Sequence, residues 1–177
     1  MSAPLVSIKK RVIKLQPTFV ADDNEDNDVA FDWIELSDAA SDNGRASTLN
    51  SIFILNGYDE AAVMEIVFCR GVGASGTAPT SAQGLTDGVG TGSAVIDTTQ
   101  PETQAIQICG RVLMTADDWA EGDLLISRMA SKTNIGLVMS PSLNSTSLYV
   151  GAIWRYEPAS GVSKGTQLMD FYFGFED

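Results

Sequence analysis

The stretch that decides the fold of this chain is Ser147–Glu157, SLYVGAIWRYE. Its residues alternate between two faces, with Leu148, Val150, Ala152 and Trp154 on one and Tyr149, Gly151, Ile153 and Arg155 on the other. A period of two is typical of a β-strand. Because both faces are largely apolar, the pattern predicts a central strand. One face would pack in the core, and the other, with Tyr149, Ile153 and Arg155, would meet a second sheet or a neighbouring subunit.

Other short apolar segments lie on either side of this strand, separated by turns rich in Gly, Ser, Asn and Asp. They are Val29–Leu36, Ala46–Leu55, Ala61–Arg70, Thr103–Thr115, Leu124–Ile126, Ile135–Met139 and Gln167–Phe175. This spacing, without a long amphipathic helical pattern, predicts an all-β sandwich. A jelly roll fits the number of strands, and another sandwich topology remains open. We expect an N-terminal arm and acidic loop over 1–28, a sandwich domain over 29–177, and a long Gly-rich loop over 71–93.

Three segments carry more detailed predictions. In Val29–Leu36 the aromatic pair Phe31 and Trp33 is expected on the core side. The pair Asn56-Gly57 predicts a β-hairpin, because this dipeptide suits the tightest hairpin turns. In the final segment, the core face is predicted to consist of Met169, Phe171, Phe173 and Phe175.

The composition narrows the possible functions. The 177 residues include 23 acidic and 11 basic side chains, a net charge of −12, and no histidine. An acidic surface repels nucleic acids and anionic membranes, so neither is an expected partner. The absence of histidine excludes Ser–His and Cys–His catalysis within the chain, and we expect neither an enzyme nor a cofactor. Cys69 and Cys109 are too few for a zinc site and are predicted to be half-buried in strands. No signal peptide is recognisable, which predicts synthesis in a reducing cytoplasm.

Basic side chains cluster near the N-terminus at Lys9, Lys10, Arg11 and Lys14. Apolar residues alternate imperfectly with them, as in a strand. One interpretation is an edge strand that lysines protect against pairing with other chains. The other is an arm that reaches an acidic surface on a partner.

Three possible sites are rejected on their spacing. Asp22, Asn24 and Asp26 resemble a calcium loop, but the sixth position is not glycine, and a tryptophan stands at the place of the bidentate glutamate. Residues 71–76 match G-x-G-x-x-G, but no helical pattern follows to hold a pyrophosphate. The neighbours Asp117 and Asp118 suit a capped turn better than a carboxylate pair that converges on one substrate.

An ordered set of segments resembles a known group of proteins. The segments are Ser51–Leu55 (SIFIL), Ala61-Ala62, Ile66–Phe68 (IVF), Ile108–Val112 (ICGRV), Ala116–Trp119 (ADDW), Asn134–Leu137 (NIGL), Ser147–Arg155 (SLYVGAIWR) and Gly174–Asp177 (GFED). In this order, over residues 47–177, they are similar to small structural proteins of tailed phages that are encoded beside the major capsid protein. The basic segment and the acidic loop depart from this pattern, and the loop 71–93 is longer.

The resemblance implies a component of the virion that decorates or cements the outer surface of the capsid. It implies contacts with the major capsid protein, and we expect self-association into a homotrimer. Lys9, Lys10, Arg11 and Lys14 are then candidate capsid contacts, and Tyr149, Ile153 and Arg155 are a candidate subunit interface. The alternative is a head fibre or carbohydrate-binding module, in which Trp119, Trp154 and Tyr156 stack on sugars.

Overall fold

Most of the predicted segments are strands of a β-sandwich. The computed structural model describes residues 9–19, 29–57, 61–79, 86–87, 94–95, 108–121, 128–155 and 169–177. The strands are β1 (Lys10–Leu15), β2 (Val29–Leu36), β3 (Ser47–Asn56), β4 (Met64–Arg70), β5 (Thr86–Asp87), β6 (Ala94–Val95), β7 (Ile108–Met114), β8 (Trp119–Glu121), β9 (Arg128–Met139), β10 (Leu148–Trp154) and β11 (Met169–Glu176). A single 3-10 turn over Ala116–Asp118 interrupts the strands of this part of the chain. The predicted all-β sandwich is confirmed.

Two antiparallel sheets form the sandwich. Sheet A has the strand order β1-β11-β3-β9-β8, and sheet B has the order β2-β10-β4-β7, while β5 pairs with β6. The strand β10 lies between β2 and β4, and all of its residues are buried. The prediction of a central strand in Ser147–Glu157 is therefore confirmed.

The strand pairs are nested along the chain. The innermost pair is β4 with β7, followed outward by β3 with β9, β2 with β10, and β1 with β11, and every pair is antiparallel. Two further pairings join the nested pairs into two sheets. The strand β11 pairs with β3 in sheet A, and β10 pairs with β4 in sheet B. Most strands therefore bind partners that are distant in sequence.

The core between the sheets is rich in aromatic rings. The predicted core face of β11 is confirmed by the full burial of Met169, Phe171, Phe173 and Phe175. The ring of Phe171 meets Phe31 edge-on at 5.4 Å between centroids, and Phe173 meets Phe68 in the same way at 5.7 Å. Each such pair contributes roughly 0.5–1.5 kcal/mol beyond the burial of its area. These contacts hold β11 of sheet A against β2 and β4 of sheet B.

The prediction that Phe31 and Trp33 share the core face of β2 is wrong, because a β-bulge separates them. Ile34 lies opposite Val150 and Phe31 lies opposite Ala152, which leaves two residues of β2 against one of β10. An extra residue of this kind shifts the alternation of side chains along a strand. Phe31 is consequently in the core, while Trp33 packs on the outer face of sheet B.

The hairpin predicted at Asn56-Gly57 is also wrong. The strand β3, which ends at Asn56, belongs to sheet A, and the next strand, β4, belongs to sheet B. The connection therefore crosses from one sheet to the other. The Asn-Gly pair favours a tight turn, but the partners of the two strands are chosen by long-range packing.

The strand β9 includes the predicted segment Ile135–Met139, but it is not fully buried. Its residues Met129 and Val138 are 41% and 62% exposed, respectively. The prediction of a buried strand is wrong for this side of β9, because the outer face of sheet A is open there. The other predicted segment, Leu124–Ile126, lies outside the described residues.

Candidate protein-interaction surfaces

The strand that the sequence assigned to a subunit interface uses its outward side chains within the chain. Ile153 is only 2% exposed and packs with Val29 and Val67 in a small apolar cluster on the outer face of sheet B. Tyr149 is 6% exposed, and its hydroxyl donates a hydrogen bond of 2.9 Å to the carbonyl of Gly76. The structure places Tyr149 and Ile153 on one face, but it buries both.

Arg155, the third residue of that candidate interface, belongs to a network of charges. Its Nε donates to the Glu65 carboxylate at 2.9 Å. The guanidinium of Arg111 lies 3.4 Å from the other oxygen of the same carboxylate. Because Glu65 is largely shielded from solvent, with a side chain 14% exposed, these pairs fix Arg155 in place beside β4 and β7.

The basic segment near the N-terminus is the edge strand β1 of sheet A. It pairs with β11 along its whole length. These residues therefore belong to the sandwich, and the division into an arm of 1–28 and a domain of 29–177 is wrong for them. Lysine on an exposed edge discourages pairing with another chain, which agrees with the interpretation as a protected edge strand. The acidic loop and its rejected calcium motif, 21–28, lie outside the described residues.

The lysines of β1 form ion pairs with the neighbouring strand β11. The Nζ of Lys10 lies 2.7 Å from Glu176, and that of Lys14 lies 2.8 Å from Asp170. The hydrogen bond from Lys10 lowers the pKa of Glu176, and the hydrogen bond to Asp170 raises the pKa of Lys14. Lys9, just before the strand, is exposed. Two of the charges expected to meet a partner are thus compensated within the chain.

Arg11, unlike Lys10 and Lys14, points toward one end of the sandwich. Its guanidinium lies 2.6 Å from the carboxylate of Asp177 and donates to the carbonyl of Ala39 at 3.0 Å. The same carboxylate accepts a hydrogen bond of 3.0 Å from the amide of Ser41. Burial alone would raise the pKa of Asp177, but hydrogen bonds from Arg11, Ser41 and Ser47 lower it to about 2. This cluster ties β1 and β11 to the loop that follows β2.

Three loops meet at one end of the sandwich, which we call the loop end. They are residues 37–46, 71–79 and 140–147. The amide of Ala40 donates to the carbonyl of Thr146 at 3.0 Å, and the amide of Asn144 donates to that of Ala74 at 2.7 Å. The third loop, residues 140–147, is therefore hydrogen-bonded through its backbone to each of the other two loops. At its tip, Leu143 is 70% exposed.

The G-x-G-x-x-G stretch forms part of the loop end as a tight hairpin. Val72 and Thr77 exchange two backbone hydrogen bonds, of 2.7 and 3.1 Å. Gly76 lies so close to the third loop that a Cβ atom on it would be 2.6 Å from the Cβ of Ser145. The hydroxyl of Ser142 also donates to the carbonyl of Gly71. Gly76 thus permits close packing of this hairpin on the loop 140–147.

The outer face of sheet A is exposed and carries an apolar cluster. We define it by the outward residues of β1, β3, β9 and β11, which are Lys10, Val12, Lys14, Thr48, Ser51, Phe53, Leu55, Met129, Ser131, Thr133, Val138, Asp170, Tyr172, Gly174 and Glu176. Val12 is 72% exposed, and the half-buried rings of Phe53 and Tyr172 pack at 5.9 Å. Sequence reasoning missed this face. The signal was present in Phe53 and Leu55, which alternate with the core residues of the same strand.

The tryptophans considered for sugar binding lie in the core. Trp119 is 8% exposed, and its indole nitrogen donates to the carbonyl of Ala62 at 3.1 Å. Trp154 is 1% exposed and stacks on Phe19 at 5.8 Å. Tyr156 lies outside the described residues. Neither tryptophan offers a ring face to a sugar.

The neighbouring aspartates sit at the 3-10 turn, where Asp118 forms a capping box with Thr115. The carboxylate of Asp118 accepts hydrogen bonds from the amide of Thr115 at 2.7 Å and from Lys132 at 3.0 Å. Burial opposes ionisation, but these bonds lower the pKa of Asp118 overall. The expected capped turn is confirmed, and Asp117 is exposed beside it.

The two cysteines are free thiols. Burial is the main reason why the pKa rises to about 12 for Cys69 and to about 11 for Cys109. Thiolate, the reactive form, is therefore scarce at neutral pH. Among the described residues, no group of three or more carboxylates and cysteines could hold a metal ion. The same residues include no helix long and apolar enough for a membrane crossing.

Comparison with known proteins adds no assignment. No protein-family model matches the chain, and no curated protein matches it.

Proposed function

We propose that this protein is a structural component of a tailed-phage particle that decorates or cements the outer surface of the capsid. It would act through contacts with the major capsid protein and with copies of itself, without catalysis. The ordered segments over residues 47–177 support this proposal through their resemblance to small phage structural proteins. The loop end is the structural observation that carries it.

The loop end has the properties of a preorganised binding surface. Backbone hydrogen bonds from Ala40 to Thr146 and from Asn144 to Ala74 restrain its loops before any partner arrives. Restraint of this kind reduces the entropy lost on binding. Loops on a rigid β-scaffold are also where binding residues concentrate in proteins. Leu143, exposed at the tip, would supply an apolar contact to the capsid protein.

We also propose that the sandwich is a jelly roll. The nested order of four antiparallel pairs supports this topology, since a jelly roll is a folded ribbon of eight strands in two sheets. The eight strands concerned are β1 to β4, β7 and β9 to β11. In such a fold, loops from separate parts of the sequence gather at the ends of the sandwich, as they do at the loop end.

The carbohydrate-binding alternative loses its main support. It required exposed rings at Trp119 and Trp154, and both are buried. The rings of Phe53 and Tyr172 on sheet A are tilted by 52° to one another, and the ammonium of Lys14 lies over the Tyr172 ring at 5.6 Å. A flat platform for a sugar is therefore not present at this pair.

Mass spectrometry of purified phage particles tests the proposed function. The protein should be present in intact particles, and adding it to particles that lack it should restore both binding and resistance of the capsid to heat. The variant Leu143→Asp should bind these particles more weakly, because it places a charge at the apolar tip. Leu113→Asp is the matched control, since Leu113 is 47% exposed on sheet B, away from the loop end. Absence of the protein from particles would refute the proposal.

A further inference from the structure

We propose that the outer face of sheet A binds the same face of a second copy of this chain, which gives a two-fold dimer. The proposal rests on the proposed function for its biological role, as it names the surface by which copies on a particle contact one another. It differs from the interface expected from the sequence, because Tyr149 and Ile153 are buried within the chain. It also gives a dimer in place of the homotrimer expected from the sequence.

This face carries an apolar cluster of the kind found in protein interfaces. Phe53, Leu55 and Met129 lie on neighbouring strands, with Tyr172 beside Phe53, toward one end of the face. Phenylalanine, tyrosine and methionine are enriched in interfaces between folded proteins. Met129, at 41% exposure, is the most accessible member of this cluster. An exposed apolar patch on a folded domain commonly marks a docking site.

The charges of the face favour a second copy as the occupant. The whole chain carries a net charge of −12, so two copies repel one another over most of their surfaces. On this face, however, Lys10 pairs with Glu176 and Lys14 pairs with Asp170, and the four charges sum to zero. Contact between two copies through this face therefore adds little repulsion, although the whole chain is acidic.

The size of the face is sufficient for a specific dimer. At about 4.8 Å between strands and 3.3 Å per residue, the four strands that define the face, with about nine residues each, span about 19 by 30 Å. The two copies together would bury about 1,100 Å², which exceeds the roughly 1,000 Å² that a biological interface needs and falls in the range of weak interfaces. We therefore expect a reversible dimer whose population depends on concentration. Because each copy contributes the same surface, the contact is isologous and closes at two subunits.

Analytical ultracentrifugation of the purified full chain tests this inference. The wild-type protein should sediment as a monomer–dimer equilibrium. Met129→Lys should weaken the dimer by at least about tenfold (about 1.4 kcal/mol), since it places an ammonium group in the apolar cluster of the contact. Leu113→Lys is the control, because Leu113 is similarly exposed, at 47%, but lies on sheet B. It should dimerise like the wild type, and thermal melting should show that both variants are folded.

Several results would overturn the inference. They are a wild-type protein that stays monomeric at high concentration, a wild-type trimer, equal dimerisation of wild type and Met129→Lys, and equal weakening by Leu113→Lys. If the wild type is monomeric and Met129→Lys alone loses binding to particles, the face docks on the capsid protein instead. That outcome refutes the dimer but leaves the proposed function standing. Absence of the protein from particles would refute the function but not a dimer measured in solution.

Discussion

Replacing Gly73 and Gly76 separately by alanine would measure how tightly the loop end is packed. Both glycines lie in the same hairpin with positive φ, +68° and +69°. A non-glycine residue in this left-handed region costs about 1–2 kcal/mol. The backbone cost is therefore nearly the same at the two positions, and any difference between the variants reports the surroundings.

The surroundings differ sharply. A Cβ atom at Gly73 meets nothing within 4 Å, whereas at Gly76 it lies 2.6 Å from the Cβ and 2.8 Å from the Oγ of Ser145. Forcing extra atoms into a packed site typically costs a further 1–3 kcal/mol or so. The free energy of unfolding should thus fall by about 1–2 kcal/mol in Gly73→Ala and by about 2–5 kcal/mol in Gly76→Ala. The two variants should differ by about 1–3 kcal/mol, so at roughly 2–4 °C per kcal/mol for a chain of this size the second should melt about 2–12 °C below the first.

Urea denaturation followed by tryptophan fluorescence provides the measurement. Adding Ser145→Gly to the Gly76→Ala background removes the clashing Cβ and should restore part of the lost stability. The Oγ of Ser145 accepts a hydrogen bond from the amide of Ser147 at 3.0 Å, so Ser145→Gly alone has its own cost, which a double-mutant cycle subtracts. Equal destabilisation by the two alanines, or no coupling between Gly76 and Ser145, would show that the hairpin does not pack on the third loop.

Two further predictions concern acid stability and the outer face of sheet B. The pKa of Asp177 is about 2 in the folded chain against an ordinary 3.8, so its bonds stabilise the fold fully above about pH 4 and are lost as the pH falls toward 2. Thermal melting between pH 2 and 5 should therefore show a steeper decline for the wild type than for Asp177→Asn, and parallel curves would contradict this role. Ile153→Asp buries an unpaired carboxylate at a position 2% exposed and should destabilise the monomer by about 4 kcal/mol or more. Ile153→Val, the control, should lose only about 0.5–1.5 kcal/mol. A folded Ile153→Asp monomer with altered self-association would instead restore the interface predicted from the sequence.

The candidate surfaces could be predicted only in part. The alternation in β10 located Tyr149 and Ile153 on one face, but it could not show that this face is covered within the chain. The lysines of β1 marked an edge strand correctly, while their partners, Glu176 and Asp170, lie at the other end of the sequence. The open face of sheet A was missed because its residues come from four strands, and the alternation of Phe53 and Leu55 within one strand does not show which side chains lie beside them.

The sequence by itself determined the fold class and the phase of the most regular strands. A period of two is a local property, so alternation in Ser147–Glu157 and in the last segment predicted which side chains enter the core. Tertiary structure alone decided which strands pair, because the energy of pairing comes from partners far along the chain. For this reason β3 and β4 do not form the hairpin predicted at Asn56-Gly57. The β-bulge in the pairing of β2 with β10 likewise places Trp33 outside the core. Tertiary structure also brought three separate loops together at one end, where backbone groups of different loops bond to one another.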